Sequence, residues 1–265
     1  MSNLPFAVVT PWHSYEQRDK FISAWGIESG AFPPWLFMEQ DKDKSGCALT
    51  KNRGIQRAID SGAEVIVVLD DDCFPDGAQD YGNSLEKLAN LHLAALEPVE
   101  VERYRVVTNP QSRGTPYYRR TMKMPVAAAI GFWSHVPDLC APAQLVRGPL
   151  CPMTFDRRPI YGDAFAYCGM NVSFKSKWWP WCSFVDLQRV DDIFAGYLFQ
   201  KEAYRLGHCF NLGAPLVRHD RQSNVWANLR EEQKYLEKNE TLWSDILCHP
   251  SNDYKELCKL LPKKE

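Results

Sequence analysis

The sequence predicts an α/β protein with a doubly wound, Rossmann-like sheet. Three apolar runs, at Leu4–Thr10, Trp35–Glu39 and Val65–Leu69, alternate with two segments in which apolar residues have helical spacing. This alternation of strand and helix is typical of a sheet covered by helices on both faces. Val65–Leu69 is apolar throughout, which favours a central parallel strand.

The remaining elements are predicted from the same patterns. The predicted helices cover Ser14–Trp25, Ala48–Ala58, Leu85–Leu96 and Val190–Leu206, and further strands cover Ala127–Trp133 and Asn171–Phe174. Gly62 is placed to end the second helix. Residues 108–125 read as a loop, and residues 139–165 show little periodicity. We expect one main domain over residues 1–235 and a charged helical tail over residues 236–265.

Composition excludes several classes of protein. The 265 residues carry a formal net charge of −2, so no large basic surface for nonspecific nucleic-acid binding is expected. The 9 cysteines include no CxxC pair, which argues against a zinc ribbon or a thioredoxin-like site. No signal-like start and no apolar run of ~18 residues is present. These features predict a cytoplasmic protein with no membrane partner.

Three adjacent carboxylates, Asp70, Asp71 and Asp72, directly follow the predicted central strand. Ligands of doubly wound sheets bind at the carboxyl ends of the strands, which is where these residues lie. Such carboxylates repel one another unless a cation or strong donors are present. Mn²⁺ or Mg²⁺ prefers carboxylate and phosphate oxygens, so the cluster is a candidate site for a metal that bridges a nucleotide diphosphate. The alternative is an acidic loop without a ligand.

Other candidate residues are weaker signals when each is taken alone. Thr10 ends the first predicted strand, and Lys51 and Arg53 form a basic start to the second helix that could contact a diphosphate or the acidic cluster itself. Gly169 permits close backbone approach to a ligand, but a simple turn before the strand at Asn171 explains it as well.

Two later motifs also leave alternatives open. Asp191 and Asp192 open a predicted helix, where acids suit the helix dipole, but they could also bind sugar hydroxyls or act as a base. His219 could complete a metal site as a neutral imidazole, although a lone histidine is more often structural.

Taken in order, the motifs resemble one known family. They are KNRG, VVLDDDCF, GFWSHVPDLCAPAQLV, CGMNVSF, RVDDIFAGY and RHDRQSNVWANLREE. This series is similar to that of the reversibly glycosylated polypeptides, the plant family that contains UDP-arabinopyranose mutases. The similarity extends from the first strand to about Tyr235, and the blocks Gly131–Val146 and Arg189–Gly196 are long and unusual.

The resemblance implies a GT-A-like mixed sheet flanked by helices, a UDP-sugar as donor substrate, and Mn²⁺ or Mg²⁺ as cofactor. It implies that Asp72, Asp70 and His219 hold the metal and that Asp71 binds the nucleotide sugar. Thr10, Lys51, Arg53, Gly169 and Asn171 are the other expected nucleotide-sugar contacts, and Asp191, Asp192 and Arg120 are the expected catalytic residues.

Arg120 is the position that aligns best with a family arginine linked to self-glycosylation, with Arg119 one step away. This segment departs from the family pattern, and the chain is much shorter than the plant proteins. We therefore favour transfer of the sugar to an acceptor hydroxyl over pyranose–furanose mutation. A non-catalytic UDP-sugar-binding protein is the third alternative.

The sequence leaves the acceptor open. A sugar, a small molecule or a hydroxylated base of DNA would each supply a hydroxyl. The basic, aromatic stretch Arg103–Lys123 and the Trp178–Trp181 run are candidate acceptor surfaces, although the tryptophans could equally form a packed loop. The oligomeric state is also left open.

Overall fold

The structure is a computed structural model of the 265-residue chain. It describes residues 4–28, 30, 32–42, 46–102, 113, 121–136, 138–148, 157–213, 215–220 and 224–263. The strands are β1 (Leu4–Trp12), β2 (Leu36–Gln40), β3 (Ala63–Leu69), β4 (Cys73–Phe74), β5 (Val99–Glu102), β6 (Thr121–Met124), β7 (Val126–Ile130), β8 (Trp133–His135), β9 (Pro159–Ile160), β10 (Asn171–Lys175), β11 (Cys209–Leu212) and β12 (Val217–His219). The helices are α1 (Tyr15–Ala24), α2 (Cys47–Asp60), α3 (Leu85–Ala95), α4 (Ala141–Arg147), α5 (Asp191–Arg205), α6 (Val225–Glu232), α7 (Leu236–Leu247) and α8 (Tyr254–Cys258).

The main sheet has seven strands in the order β2-β1-β3-β10-β7-β11-β9. β1 pairs in parallel with β2 and β3, whereas β10 is antiparallel to both β3 and β7. The predicted α/β class is therefore confirmed, and the sheet is mixed. β3 lies third in the sheet and is flanked by β1 and β10, which explains why its residues are apolar on both faces.

A small second sheet extends the main one beyond the carboxyl end of β3. Its order is β4-β12-β8, with β12 antiparallel to β4 and parallel to β8. The chain passes from the main sheet into this one three times, from β3 to β4, from β7 to β8 and from β11 to β12. The second sheet therefore lies beside the edge at which the predicted ligand site falls. The sequence did not predict this sheet, because strands of two or three residues carry too little periodicity.

Local sequence explains where the first two helices begin and end. Ser14 caps α1 by accepting a hydrogen bond from the backbone N–H of Gln17. α2 begins after Gly46 and is followed by Gly62, whose φ of 86° suits a residue without a Cβ. Ile55 and Ala58 of α2 are fully buried on the sheet.

Two apolar cores lie on opposite faces of the main sheet. Alternate residues of β3 divide between them: Val65, Val67 and Leu69 face one core, and Ile66 and Val68 face the other. Each fully buried aliphatic side chain contributes about 1.5–3 kcal/mol. This two-sided packing fixes β3, and with it the loop that follows β3.

A third core joins the C-terminal helices to the rest of the molecule. Phe194 and Leu198 of α5 are fully buried with Leu242 and Ile246 of α7 and with Leu257 of α8. The segment predicted as a charged helical tail thus contains two helices packed on α5. The segment without periodicity contains a helix that the sequence did not predict, α4.

Within the described part of the chain, every helix is too short or too polar to cross a membrane.

Two cavities at the carboxylate edge form the candidate active site

The acidic triplet lies in the loop between β3 and β4. This loop is fixed by its backbone: Asp70 N–H donates to the carbonyl of Met170 at 2.9 Å, and Cys73 N–H donates to the carbonyl of Asp70 at 3.0 Å. The three side chains diverge, and each faces a different basic residue. Asp70 faces Lys51, Asp71 faces His13, and Asp72 faces His219.

Lys51 is a buried cation beside the first carboxylate. Its Nζ lies 2.7 Å from Asp70 Oδ1 and donates to the carbonyl of Gly169 at 3.1 Å. Only 5% of its side chain is exposed. Burial alone would lower the pKa of Lys51, but the charge of Asp70 holds it well above its ordinary value. Lys51 therefore stays charged and offsets part of the negative charge at this edge.

Asp71 is turned towards α1. Its Oδ2 lies 3.7 Å from Nδ1 of His13, and its backbone carbonyl accepts a hydrogen bond from Gln17 Nε2 at 2.7 Å. Burial, followed by repulsion from Asp72 and Asp70, raises the pKa of Asp71 to about 7. A carboxylate in this environment gains from any donor or cation that a ligand brings.

Asp72 and His219 form a pair across the small sheet. His219 Nε2 lies 3.5 Å from Asp72 Oδ2, and Nδ1 lies 2.8 Å from the carbonyl of Val136. Burial would lower the pKa of His219, but the hydrogen bond and charge of Asp72 raise it above its ordinary value. The Val136 carbonyl keeps a proton on Nδ1, so Nε2 is the nitrogen that faces the carboxylate.

Asp191 and Asp192 open α5 and lie close to Lys51. Asp192 Oδ2 accepts from the N–H of Gly169 at 2.8 Å, and Asp192 Oδ1 accepts from the N–H of Ile193 at 2.8 Å. Burial raises the pKa of both carboxyls, and the charge of Asp192 adds to the shift at Asp191, while Lys51 opposes it. Residue 169 must be glycine, because a Cβ would lie 2.2 Å from Phe184 and 3.0 Å from Asp192 Cβ.

These groups surround two adjoining cavities. One, of about 540 Å³, is lined at the end of β1 and the start of α1 by Pro11, Trp12, His13 and Gln17. The other, of about 510 Å³, reaches from the triplet to the C-terminal helices. Its lining includes Lys51, Asp138, Arg189, Val190, Asp191, Asp192, His219, Glu231, Glu232, Tyr235, Leu236 and Asn239. Asp70, Asp72 and Cys47 line both, so the triplet lies where the two cavities meet.

In the cavity that reaches the C-terminal helices, the wall far from the triplet is held by an ion pair that the sequence did not predict. Glu232 Oε1 accepts from Arg189 Nη2 at 2.8 Å and from Arg189 Nε at 3.2 Å, and Oε2 accepts from the N–H of Ala141 at 2.6 Å. This buried carboxylate connects α6 to the start of α4 and to the residues before α5. Arg189 and Glu232 are 43 positions apart, and no local pattern marks such a contact.

Neither cavity is lined by Thr10, Arg53 or Asn171, which the sequence predicts as binding residues. Thr10 is fully buried in β1, and its Oγ1 has no hydrogen-bond partner among the described residues. Arg53 is exposed and donates to the carbonyl of Gln40 at 3.2 Å. Asn171 is fully buried, with its amide bonded inside the protein. Arg120 falls outside the described residues, as does most of the basic stretch that contains it.

The run of tryptophans is packed rather than open. Trp178 is 3% exposed and lies 5.3 Å from the ring of Phe199, and Trp181 lies 5.0 Å from the ring of Tyr254. The packed-loop reading therefore accounts for these two residues.

The metal site predicted from Asp70, Asp72 and His219 is only partly assembled. Among the residues that the structure describes, no group of three or more His, Cys, Asp or Glu side chains is placed to hold a metal ion. Asp70 Oδ1 is engaged by Lys51, which leaves Asp72 and His219 as an adjacent pair. A metal at this edge would need its other ligands from a bound molecule or from water.

The structure defines an α/β protein with a candidate ligand site at the carboxyl end of a central strand, where carboxylates and two cavities meet. Comparison with known proteins indicates a narrower class. The chain is 30% identical over 203 residues to probable UDP-arabinopyranose mutase 4 of Arabidopsis thaliana, a match that covers 69% of this chain and 54% of that one. It is 29% identical over 192 residues to probable UDP-arabinopyranose mutase 1 of Pisum sativum, covering 66% and 52%. UDP-arabinopyranose mutase 1 of Arabidopsis thaliana is 28% identical over 197 residues, covering 66% and 53%.

The resemblance predicted from the motifs is therefore confirmed: curated relatives of this chain are UDP-arabinopyranose mutases. The chain spans about half the length of the curated relatives it matches. No protein-family model matches the chain. The crystal structure of TarS from S. aureus aligns with 92% of this chain and 43% of its own at 11% identity, but the TM-score of 0.42 is too low to support an argument.

Proposed function

We propose that this protein is a GT-A-like, UDP-sugar-dependent glycosyltransferase that moves the sugar to an acceptor hydroxyl. The observation that carries the proposal is the meeting of two cavities at Asp70 and Asp72. A nucleotide sugar has a base and ribose at one end, a sugar at the other and a diphosphate between them. The two cavities with carboxylates at their junction match this order of parts.

The nucleoside end fits the cavity beside β1 and α1. Trp12 and His13 supply flat rings there, and Asp41 and Asp71 supply acceptors for ribose and base N–H or O–H groups. The diphosphate then lies at the triplet, within reach of the Lys51 cation. Arg53 and Thr10 do not line this cavity, and we propose that they act through neighbouring residues. Arg53 holds the carbonyl of Gln40, which precedes the lining residue Asp41, and Thr10 precedes the lining residue Pro11.

The pair Asp72–His219 fits a hard divalent cation, Mn²⁺ or Mg²⁺. His219 is oriented through Nδ1 by a backbone carbonyl, which is the usual support for a metal-binding imidazole. Two protein ligands leave the remaining positions to the diphosphate oxygens and water. When bound, the ion would stabilise the negative charge that develops on the departing UDP. Asp70 contributes through Lys51 rather than as a direct ligand.

The sugar and the acceptor fit the cavity that reaches the C-terminal helices, where Asp191 and Asp192 lie. Asp192 has both oxygens engaged by backbone N–H groups, so it positions the start of α5. Asp191 has an environment that raises its pKa, which favours proton uptake. During transfer the acceptor oxygen bonds to the anomeric carbon, the bond from that carbon to the UDP oxygen breaks, UDP keeps the electron pair, and the hydroxyl proton passes to a carboxylate. We assign that role to Asp191.

The test is metal-dependent binding and hydrolysis of UDP-sugars. Calorimetry with UDP and Mn²⁺ should show binding, and Asp72→Asn and His219→Ala should each weaken it about tenfold or more. Asp80→Asn, which changes an exposed carboxylate between β4 and α3, should leave the binding unchanged. Hydrolysis of UDP-sugars should fall in parallel. No UDP binding by the parent protein with Mn²⁺ present would reject the proposal. Binding without any turnover would instead support a non-catalytic UDP-sugar-binding protein.

A second candidate function is favoured by the curated relatives, which are UDP-arabinopyranose mutases. A mutase would break and remake the same sugar–UDP bond with the ring in a different form, and would need no outside acceptor. Incubation with UDP-arabinopyranose separates the two. A furanose product without loss of UDP-sugar would favour the mutase, with the segment around Arg120 as its proposed catalytic element. Release of UDP that rises when an acceptor is added would favour transfer.

The acceptor can be sought by class. Candidate hydroxyls are those of a sugar, of a small molecule and of a hydroxylated DNA base, and each can be supplied with the same donor. The transferred sugar would identify the class by mass.

A further inference from the structure

We propose that Asn171 is a positioning residue that fastens the small sheet, and with it His219, to the main sheet; this rests on the proposed function of the Asp72–His219 pair. Asn171 begins β10 and is fully buried. Its side chain is not part of the lining of either cavity. Its role is therefore mechanical support of the site and not contact with the ligand.

The amide of Asn171 joins two segments that lead into the small sheet. Its Nδ2 donates to the carbonyl of Phe132 at 3.1 Å and to the carbonyl of Pro215 at 2.9 Å. Phe132 directly precedes β8, and Pro215 lies two residues before β12, which ends at His219. The carbonyl of Phe132 also accepts from the N–H of Val217 at 3.0 Å. Both amide protons are thus spent at the junction of the two sheets.

The orientation of the amide is fixed from the other side by His92 of α3. Because both Nδ2 protons are engaged, Oδ1 of Asn171 is an acceptor, and His92 Nε2 donates to it at 2.8 Å. His92 Nδ1 then accepts from the hydroxyl of Ser173 at 3.0 Å. All three side chains are fully buried. Ser173, His92 and Asn171 therefore form a linear series of hydrogen bonds in which every donor points the same way, from Ser173 to His92 and from His92 to Asn171.

The backbone leaves no room for another arrangement. Gly131 N–H donates to the carbonyl of Asn171 at 2.8 Å, and a Cβ at residue 131 would lie 2.1 Å from Asn171 Nδ2 and 2.2 Å from the carbonyl of Pro215. Glycine at this position is what lets the amide reach both carbonyls. The close approach of three chain segments at one side chain makes Asn171 the point where the second sheet is tied down.

The hydrogen bonds of Asn171 help to position both Asp72 and His219, because both residues are bonded to the small sheet. His219 lies at the end of β12, and its carbonyl accepts from the N–H of Val136 at 3.1 Å. Asp72 is held to the same sheet, since its carbonyl accepts from the N–H of Asp220 at 3.1 Å. If the segment at Pro215 and β8 shift relative to β10, the two side chains move with respect to the remainder of the triplet.

The test compares Asn171→Ala with Phe174→Leu, a change of a fully buried residue on the same strand that removes packing but no polar group. Asn171→Ala should weaken Mn²⁺-dependent binding of UDP about tenfold and leave binding of UDP in a metal chelator unchanged. It should also raise hydrogen exchange at the amides of Val136, Val217 and Asp220. Phe174→Leu should lower the melting temperature without either effect.

Two further variants serve if Asn171→Ala does not fold. His92→Gln keeps a donor at the position of Nε2, whereas His92→Asn reaches only to the position of Nδ1, so His92→Asn alone should raise exchange at the three amides. Equal exchange in both, or equal effects of Asn171→Ala and Phe174→Leu, would overturn the inference. If the parent protein binds no UDP, the proposed function fails, and the exchange data decide the inference by themselves.

Discussion

The half-buried carboxylates at the edge of the sheet and the fully buried side chains Ser173, His92 and Asn171 differ in how many of their hydrogen-bonding groups have partners inside the protein. In the chain Ser173–His92–Asn171, every side-chain donor and acceptor of the amide and the imidazole has a partner inside the protein. At the edge, carboxylates crowd together, and burial and mutual repulsion raise the pKa of Asp71 to about 7. One region is complete without a ligand, and the other is not.

This difference separates support from function. A buried polar group with all its bonds made stabilises one conformation and gains nothing from a ligand. A crowded carboxylate that is short of cations costs stability, and a ligand that brings metal or hydroxyl groups removes that cost. Removing a crowded edge carboxylate should therefore stabilise the ligand-free protein and slow turnover, whereas a change among the fully hydrogen-bonded side chains should destabilise the protein.

The largest expected effect is at Lys51. Lys51→Met should lower the free energy of unfolding by about 3–5 kcal/mol, because it leaves the half-buried Asp70 without its cation beside two other carboxylates. Chemical denaturation measures this directly. Adding Asp70→Asn to Lys51→Met should restore most of the loss, since the uncompensated charge is then gone.

The control for Lys51 is Lys238, whose ion pair with Asp245 is solvent-exposed on α7. Lys238→Met should change the unfolding free energy by less than about 0.5 kcal/mol. A loss of under about 1 kcal/mol of unfolding free energy for Lys51→Met would mean that water already screens Asp70. The acidic edge would then differ less from the Ser173–His92–Asn171 series than the burial of Lys51 indicates.

The second effect is at Asp191, where stability and activity should move in opposite directions. Neutralising this buried carboxyl, whose pKa is raised by burial and by Asp192, should stabilise the ligand-free protein by about 1 kcal/mol at neutral pH. The same Asp191→Asn change should slow sugar transfer about 100-fold, because the proposed proton acceptor is lost. Thermal denaturation and turnover of a UDP-sugar measure the two.

The binding of UDP with Mn²⁺ should be nearly unaffected by Asp191→Asn, since the proposed metal pair is Asp72 and His219. Asp80→Asn, exposed on the surface, is the matched control for both measurements. An active but destabilised Asp191→Asn protein would place Asp191 among the supporting residues instead.

The sequence was sufficient to predict most of what local pattern determines. The strands at β1, β2, β3 and β10 and the helices α1, α2, α3 and α5 lie within about three residues of their predicted bounds, because their apolar residues recur with the period of the element. The placement of the triplet after a buried strand followed from the same pattern. The resemblance to the UDP-arabinopyranose mutases came from motifs, and it was confirmed by the curated relatives.

What the sequence did not predict depends on contacts between distant residues. Glu232 meets Arg189 across 43 positions, and His92 meets Asn171 across 79. Nothing near Asn171 indicated that its amide would be used inside the protein rather than towards a ligand. For Lys51 the sequence left two contacts open, a diphosphate or the acidic cluster, and the structure pairs its Nζ with Asp70.

The buried imidazole of His92 should make the stability of the protein depend on pH. Burial lowers the pKa of His92 to about 4, although the hydrogen bond to Asn171 opposes the shift, and the unfolded chain has a value near 6.5. Between these values the unfolded state binds a proton that the folded state does not, so stability falls as pH decreases. From pH 7 to pH 5 this group should cost about 2 kcal/mol.

Urea unfolding at pH 7 and pH 5 for the parent and for His92→Gln isolates this contribution. Carboxyls with raised pKa change stability in the opposite sense, but they are present in both proteins and cancel in the comparison. Stability of His92→Gln should fall less on acidification. An identical fall in stability in both proteins would show that His92 is protonated in the folded state. The imidazole could then not accept the hydrogen bond from Ser173.

The smallest effect should be at Glu232, which tests where the boundary between the two regions lies. Glu232 lines the cavity that reaches the C-terminal helices, as Asp70 and Asp72 do, yet one of its oxygens accepts hydrogen bonds from Arg189 and the other accepts from the N–H of Ala141. If the effect of a substitution depends on whether the group has hydrogen-bond partners, and not on whether it lines the cavity, Glu232→Gln should act like a change at Asn171 or His92. It should destabilise by about 1–2 kcal/mol, because the amide presents a donor where a donor already points. Glu237→Gln, exposed on α7, should be neutral. A more stable Glu232→Gln protein with slower sugar transfer would assign Glu232 to the functional edge and move the boundary to the far wall of the cavity.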